Sequence, residues 1–427
     1  MVEMYPDNNI LTYLKWRGDV DFSTSPFNDI DALVLSIFSY LELPDIVDSG
    51  SKTITLEKAA KIYFTADHER TDAKQYQDLF KLMAKADRFK DAELSYFVST
   101  LTEHTQFSAI KIALTDGTNF IAFRGTDDSL IGWKEDFEIS FKVTIAQRQA
   151  VKLLERILNA DNEDYYLGGH SKGGNLAEYA AINMEPKLRK RIKRIYTFDS
   201  PGIAEEVGAQ LPRKYLQNTL RRFVPEFSVI GRLFEPEGIN PTIVNSTRKN
   251  LSQHDAYSWQ IIGSNFDTKR HRNPQSRVYN QLINQWIGNA TLKERESLTN
   301  DLFSALGAGG ATKINELVNN GFGGFGDTGA ARFSVTTAPD VPYLLLYAVS
   351  RKRPPPELPT LKREPKPRKP PDSCTFTSSS SDIGLSTYRL SISFTKRLGE
   401  FCSCFPLRIL VAANDRFTAT FALVRAT

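Results

Sequence analysis

The sequence predicts a mainly parallel α/β fold, a sheet flanked by helices, from two observations. Between residues 110 and 244 short β-type runs alternate with helical stripes, and one run ends in a Gly-Gly pair that opens onto a helix. Strands alternating with helices require crossover connections, and hence parallel pairing. At 41% hydrophobic and 24% charged over 427 residues, the chain has the makings of a sizeable core. That composition excludes a fully disordered, collagenous or disulfide-scaffold protein.

Taken in order, Asn28 and Asp29 are good caps for an apolar helix over 30–41. Residues 56–87 carry spaced apolar side chains among Lys and Asp, the pattern of one or two surface helices. The runs 110–114 and 120–123 flank Asp116-Gly117, a hairpin turn. Apolar residues at 150, 151, 154, 157 and 158 mark an amphipathic helix. Strands are expected at 165–167, 195–198, 220–224 and 242–244, and helices at 175–184, 278–287 and 292–306. Residues 42–105 are a candidate helical insertion or lid within a body spanning 1–333.

Residues 334–427 differ in kind. They hold 11 of the 21 prolines, a net charge of +7 and a Ser run, and they read as a Pro/Lys/Arg/Ser-rich linker or disordered tail. Such a tail could contact anionic partners. The body carries −3, so its charge does not suit nucleic acid. Cysteine is absent before Cys374, which suits a reducing compartment. No apolar run approaches the roughly 20 residues of a membrane span. The first ten residues lack the basic and apolar regions of a leader, and the expectation is a cytoplasmic protein.

Gly169-His170-Ser171-Lys172-Gly173 is a G-x-S-x-G sequence between an expected strand and an expected helix. Its glycines permit the sharp turn that exposes a serine hydroxyl at a helix N-terminus, the nucleophile elbow of α/β hydrolases. A serine nucleophile needs a base, and a group to orient that base. In this fold the chain order is serine, acid, histidine, which leaves His254 and His271 as bases. His271 stands in Lys269-Arg-His-Arg272, where neighbouring cations oppose an imidazolium, so His254 is preferred. Asp199 and Glu226, each following a strand, are the alternatives for the acid. The oxyanion hole would use the backbone N–H of Lys172 and that of Thr126 after the 120–123 strand, with the Thr126 hydroxyl as an extra donor.

Phe123-Arg-Gly-Thr126, then Trp133 and Asp136, then Gly169-His-Ser-Lys-Gly-Gly174 together resemble class 3 lipases. Thr197-Phe-Asp-Ser-Pro201, Val224-Pro-Glu-Phe-Ser228 and His254-x-x-Tyr257 fit as well, and the set is most similar to an uncharacterised bacterial branch of lipase-like proteins. The resemblance covers about residues 8–318. It implies an α/β-hydrolase fold, Ser171 as nucleophile, His254 as base and Thr126 in the oxyanion hole. The chain departs from it twice. Lys172 replaces a hydrophobic residue after the nucleophile, and Arg222 stands where those lipases place their acid. For the Lys172 side chain, one reading is a cation that selects an anionic substrate. The other is a solvent-facing side chain paired with an acid such as Glu178.

The expected function is a serine hydrolase cleaving small acyl esters or lipids, needing no cofactor and no metal. Arg222 motivates the alternative, a lipase-like binding or scaffold protein with little catalysis.

Overall fold

In the computed structural model the described residues are 8–307, apart from 66–71, 128, 205–206, 208–211, 272, 274–275, 277–286 and 288, together with strands between 388 and 411. The chain divides into two units, residues 1–327 and 328–427.

The first unit is built on an eight-stranded sheet whose strands lie side by side in chain order. The strands are β1 (Ile54–Thr55), β2 (Glu93–Leu101), β3 (Gln106–Ala113), β4 (Asn119–Phe123), β5 (Tyr165–His170), β6 (Ile192–Phe198), β7 (Leu220–Pro225) and β8 (Thr242–Val244). β1 to β4 pair antiparallel and β4 to β8 parallel. The 110–114 and 120–123 runs thus form the expected hairpin, and the later strands form the parallel part.

β2 was not foreseen. Residues 42–105, read as a helical insertion or lid, supply β1 and β2 to the sheet edge, as well as α3 (Leu56–Thr65) and α4 (Lys74–Met83). Both helices bury one face, α3 with Tyr63 and α4 with Leu79 and Phe80.

Each face of the sheet has its own core, and side chains alternate between them. Phe120 and Ala122 join one cluster with α2 (Asp29–Phe38), while Ile121 and Phe123 join the other with α6 (Ile145–Ala160) and α7 (Lys172–Ile182). A strand covered on both faces is apolar throughout, which explains the unbroken run Phe120-Ile-Ala-Phe123.

α2 starts at a capping box in which Asn28 and Asp31 satisfy each other's backbone. Asp31 also receives the Tyr13 hydroxyl at 2.9 Å and Arg88 Nε at 2.8 Å, and it is fully buried. Arg88 Nη2 adds a second bond to Asp31, at Oδ2 and 2.5 Å, and the guanidinium also donates to the carbonyls of Val20, Asp21, Ser25 and Pro26.

α8 (Leu292–Gly307) agrees with the helix expected at 292–306, whereas the one expected at 278–287 lies almost wholly outside the described residues. In the second unit, β9 (Tyr388–Phe394) pairs antiparallel with β12 (Phe405–Val411), and β10 (Arg397–Leu398) with β11 (Phe401–Cys402). These strands fall in the stretch expected to be linker or disorder. Alternation in Tyr388-Arg-Leu-Ser-Ile-Ser-Phe394 is a strand pattern that composition alone does not register. The rest of the tail lies outside the described residues.

Asp31→Ala strands Arg88 as an uncompensated buried charge, and should lower stability by about 3–5 kcal/mol in urea unfolding. A loss below about 1 kcal/mol would show that the pair is not a keystone of the α2 face.

Candidate active site

β5 runs Tyr165-Tyr-Leu-Gly-Gly-His170 and turns at Ser171 directly into α7. Ser171 has φ 56° and ψ −132°, a left-handed conformation that few side chains adopt without support. The turn is possible because its surroundings carry no side chains. A Cβ at Gly173 would lie 2.1 Å from the Phe123 carbonyl oxygen, and one at Gly169 would lie 2.2 Å from the Gly173 carbonyl carbon. The expected helix at 175–184 therefore begins three residues earlier than its apolar pattern suggests. Its first turn is Lys172-Gly-Gly, chosen for closeness rather than hydrophobicity.

His170 is buried under the turn. Its Nε2 lies 2.8 Å from the His254 carbonyl oxygen, and its Nδ1 lies 2.9 Å from the Tyr40 hydroxyl. A carbonyl only accepts, so Nε2 carries the proton and Nδ1 accepts from Tyr40. Burial, reinforced by the nearby His254, pushes His170 down to about 3. It is a neutral spacer that fixes the His254 backbone, and the two rings are tilted by 37° with centroids 4.6 Å apart.

His254 closes a short 3₁₀ turn, Asn250–His254, after β8. Gln253 accepts the Phe227 N–H at 2.8 Å through its side chain and the Trp259 indole N–H at 2.8 Å through its carbonyl. Asp255 caps the next turn by accepting the Tyr257 N–H, and pairs with Arg248 at 2.7 Å. Held on both sides, His254 donates Nδ1–H to Asp199 Oδ2 at 2.6 Å.

Asp199 is the residue after β6, fully buried, with φ 44°. Its other oxygen accepts the Ser228 hydroxyl at 2.5 Å and the Gly231 N–H at 3.1 Å. Of the two carboxylates considered from sequence, Asp199 is brought to His254. Glu226 is instead paired with Lys269 at 2.7 Å on the partly exposed end of β7. His271 and His104 are exposed, and His68 lies outside the described residues.

The remaining candidates meet on α5 (Leu130–Glu138), which the sequence reading did not assign. The Thr126 hydroxyl donates to Asp136 Oδ2 at 2.6 Å, so it is engaged before any ligand arrives. Burial lifts Asp136 to about 6, against the pull of Lys172 and the Thr126 bond.

The Lys172 side chain corrects both readings given it. It neither faces substrate nor meets Glu178, but runs inward, with Nζ 3.0 Å from the Gln106 carbonyl, 2.9 Å from Gln106 Oε1 and 3.3 Å from Glu135 Oε2. Only its backbone N–H is left at the positive end of α7. Glu135 also accepts the Thr105 hydroxyl, the Gln106 N–H and the Ala146 N–H, joining β3, α5, α6 and the elbow. The sequence signal for α5 was Ser129, whose side chain caps the helix by accepting the Gly132 N–H.

A sequential sheet with a parallel half and a serine elbow between β5 and α7, with a histidine–aspartate pair packed against His170 of that elbow, defines a lipase-like α/β-hydrolase fold. The family model described as Mbeg1-like matches residues 83–304, more than half of the chain, and the chain belongs to this lipase-like family. Among solved structures it is similar to M37 lipase, at 16% identity and a TM-score of 0.31 over 56% of this chain and 84% of that one. It is also similar to the Rhizomucor miehei lipase of a propeptide complex, at 18% identity and 0.26 over 39% and 59%. A lipase from Rhizopus microsporus var. chinensis gives 17% and 0.29 over 60% and 93%. No curated protein matches the sequence. Among the described residues no helix is long and apolar enough to cross a membrane.

Glu178, on the buried side of α7, provides a check of the site's electrostatics. Burial raises it from 4.5 to about 7, with Arg222 pulling the other way. The folded state therefore holds this proton while the unfolded chain releases it. The stabilisation is complete below the unfolded value and is lost as pH rises through about 7. Glu178→Gln should accordingly gain about 2–3 kcal/mol over wild type near pH 8.5, and less than about 1 kcal/mol near pH 5, in urea unfolding. An equal difference at both pH values would refute the buried-acid assignment.

Proposed function

We propose that the protein is a serine hydrolase of the class 3 lipase kind, cleaving carboxylic esters of lipids or short acyl groups. The observation that carries this reading is the 2.6 Å His254–Asp199 bond beside the Ser171 elbow. In this reading Ser171 Oγ attacks the acyl carbonyl while His254 Nε2 takes its proton. Asp199 holds the imidazole with Nδ1 protonated and steadies the imidazolium. The N–H groups of Lys172 and Thr126 receive the oxyanion, and the Thr126 hydroxyl, already given to Asp136, orients its loop. His254 returns the proton to the leaving alcohol, and water then releases the acyl group from Ser171 by the same base. The chemistry uses no metal or cofactor. Arg222, which motivated a non-catalytic alternative, loses that force because an acid reaches His254 from the neighbouring strand. The lack of cysteine before Cys374 supports a cytoplasmic site of action. The net charge of +7 over residues 334–427 supports contact of the tail with anionic partners.

A fluorophosphonate probe tests this directly. Wild type should label, and Ser171→Ala and His254→Ala should not. Asp199→Asn should slow turnover of a short-chain ester about 10⁴-fold, as loss of a triad acid does elsewhere. Glu226→Gln should stay within about twofold, since Glu226 is occupied by Lys269. A folded wild type that resists the probe would move the reading to a binding protein.

A further inference from the structure

Arg222 is 3% exposed in β7, opposite Thr197 of β6, and its guanidinium reaches past the strand end on the side of Asp199. Its Nη2 donates to the Gly231 carbonyl at 2.5 Å and to the Ser200 carbonyl at 3.3 Å. Those two residues flank Asp199, one along the chain and one at its carboxylate. Ser200 is the next residue in the chain, and Gly231 supplies the N–H that Asp199 Oδ1 accepts. Asp199 itself has φ 44°, a conformation the local chain does not favour and must be held in.

We propose that Arg222 is a positioning residue, a two-pronged clamp on the loops either side of Asp199 that aims its carboxylate at His254 Nδ1. The inference rests on the reading of His254 and Asp199 as base and acid. The arrangement favours arginine because the two N–H bonds of Nη2 lie in the rigid guanidinium plane, which fixes the directions in which the two carbonyls are met. The ammonium of lysine is a compact point donor on a flexible stem. Fixing an acid through backbone carbonyls also leaves both carboxylate oxygens free for Ser228, Gly231 and His254. A direct arginine–carboxylate pair would compete with the imidazole for the same lone pairs.

A purely structural account is available, in which Arg222 only offsets the buried Glu178. The variants Arg222→Met, Arg222→Met/Glu178→Gln and Arg222→Lys separate the two. The readout in full-length protein is the low-field proton resonance of His254 Nδ1–H, identified by its loss in Asp199→Ala. The clamp predicts that this resonance moves upfield or broadens away in both Met variants. It also predicts that kcat on a short-chain ester falls about 100-fold with KM within about twofold, the cost of a misplaced catalytic group. Arg222→Lys should fall between. If Arg222→Met/Glu178→Gln keeps the wild-type resonance and turnover, Arg222 is a counter-ion and the clamp is overturned. Should the Met variants fail to fold, Arg222→Lys decides, because an unchanged resonance there is equally contrary. The resonance reads geometry without catalysis, so it tests the clamp even if Ser171 proves unreactive. A reactive Ser171 with an indifferent Arg222 would sink the clamp alone.

Discussion

The site depends on one constraint, that a carboxyl group taken fully out of water must have its oxygens satisfied. Asp199 meets it with three donors drawn from two loops: the Ser228 hydroxyl and the Gly231 N–H after β7, and the His254 imidazole after β8. The loops after β6, after β7 and after β8 must therefore converge on one point. That convergence brings His254, 55 residues away in sequence, to the end of the sheet where β5 turns. The imidazole completes a buried polar network whose absence would leave an acceptor stranded.

A second network supports the other side. Glu135 and Asp136 are adjacent on α5, and each takes a different candidate for the oxyanion hole. Glu135 receives the Lys172 ammonium and Asp136 the Thr126 hydroxyl. Both side chains are spent in the interior, so the proposed oxyanion hole rests on the backbone N–H groups of Thr126 and Lys172 alone. Between the two networks stands His170, kept neutral by burial and fixed by Tyr40. A charged imidazole there would repel an imidazolium at His254, whose ring is 4.6 Å away.

The sheet and the elbow were legible because their signals are local. Alternating apolar runs gave β3 to β8, and the glycines around Ser171 gave the turn. His254 was found by chain order and by the charge around His271. What was not legible is what depends on distant pairing. β2 carries mixed polar residues along a strand near the sheet edge, so its pattern resembles a surface segment. The choice between Asp199 and Glu226 turned on where two loops meet, and on a lysine 43 residues from Glu226. Lys172 misled because a lysine on a first helical turn normally faces solvent, and only Gln106 and Glu135, from β3 and α5, supply the interior partners.

The most direct measurement is a crystal structure of the protein after reaction with a phosphonate ester. Phosphorus should be bonded to Ser171 Oγ, with its oxygen about 3 Å from the backbone nitrogens of Thr126 and Lys172. His254 should keep its bond to Asp199, with Nε2 turned to the leaving-group side. A phosphonyl oxygen turned into solvent, an adduct elsewhere, or an imidazole released from Asp199 would contradict the proposed mechanism.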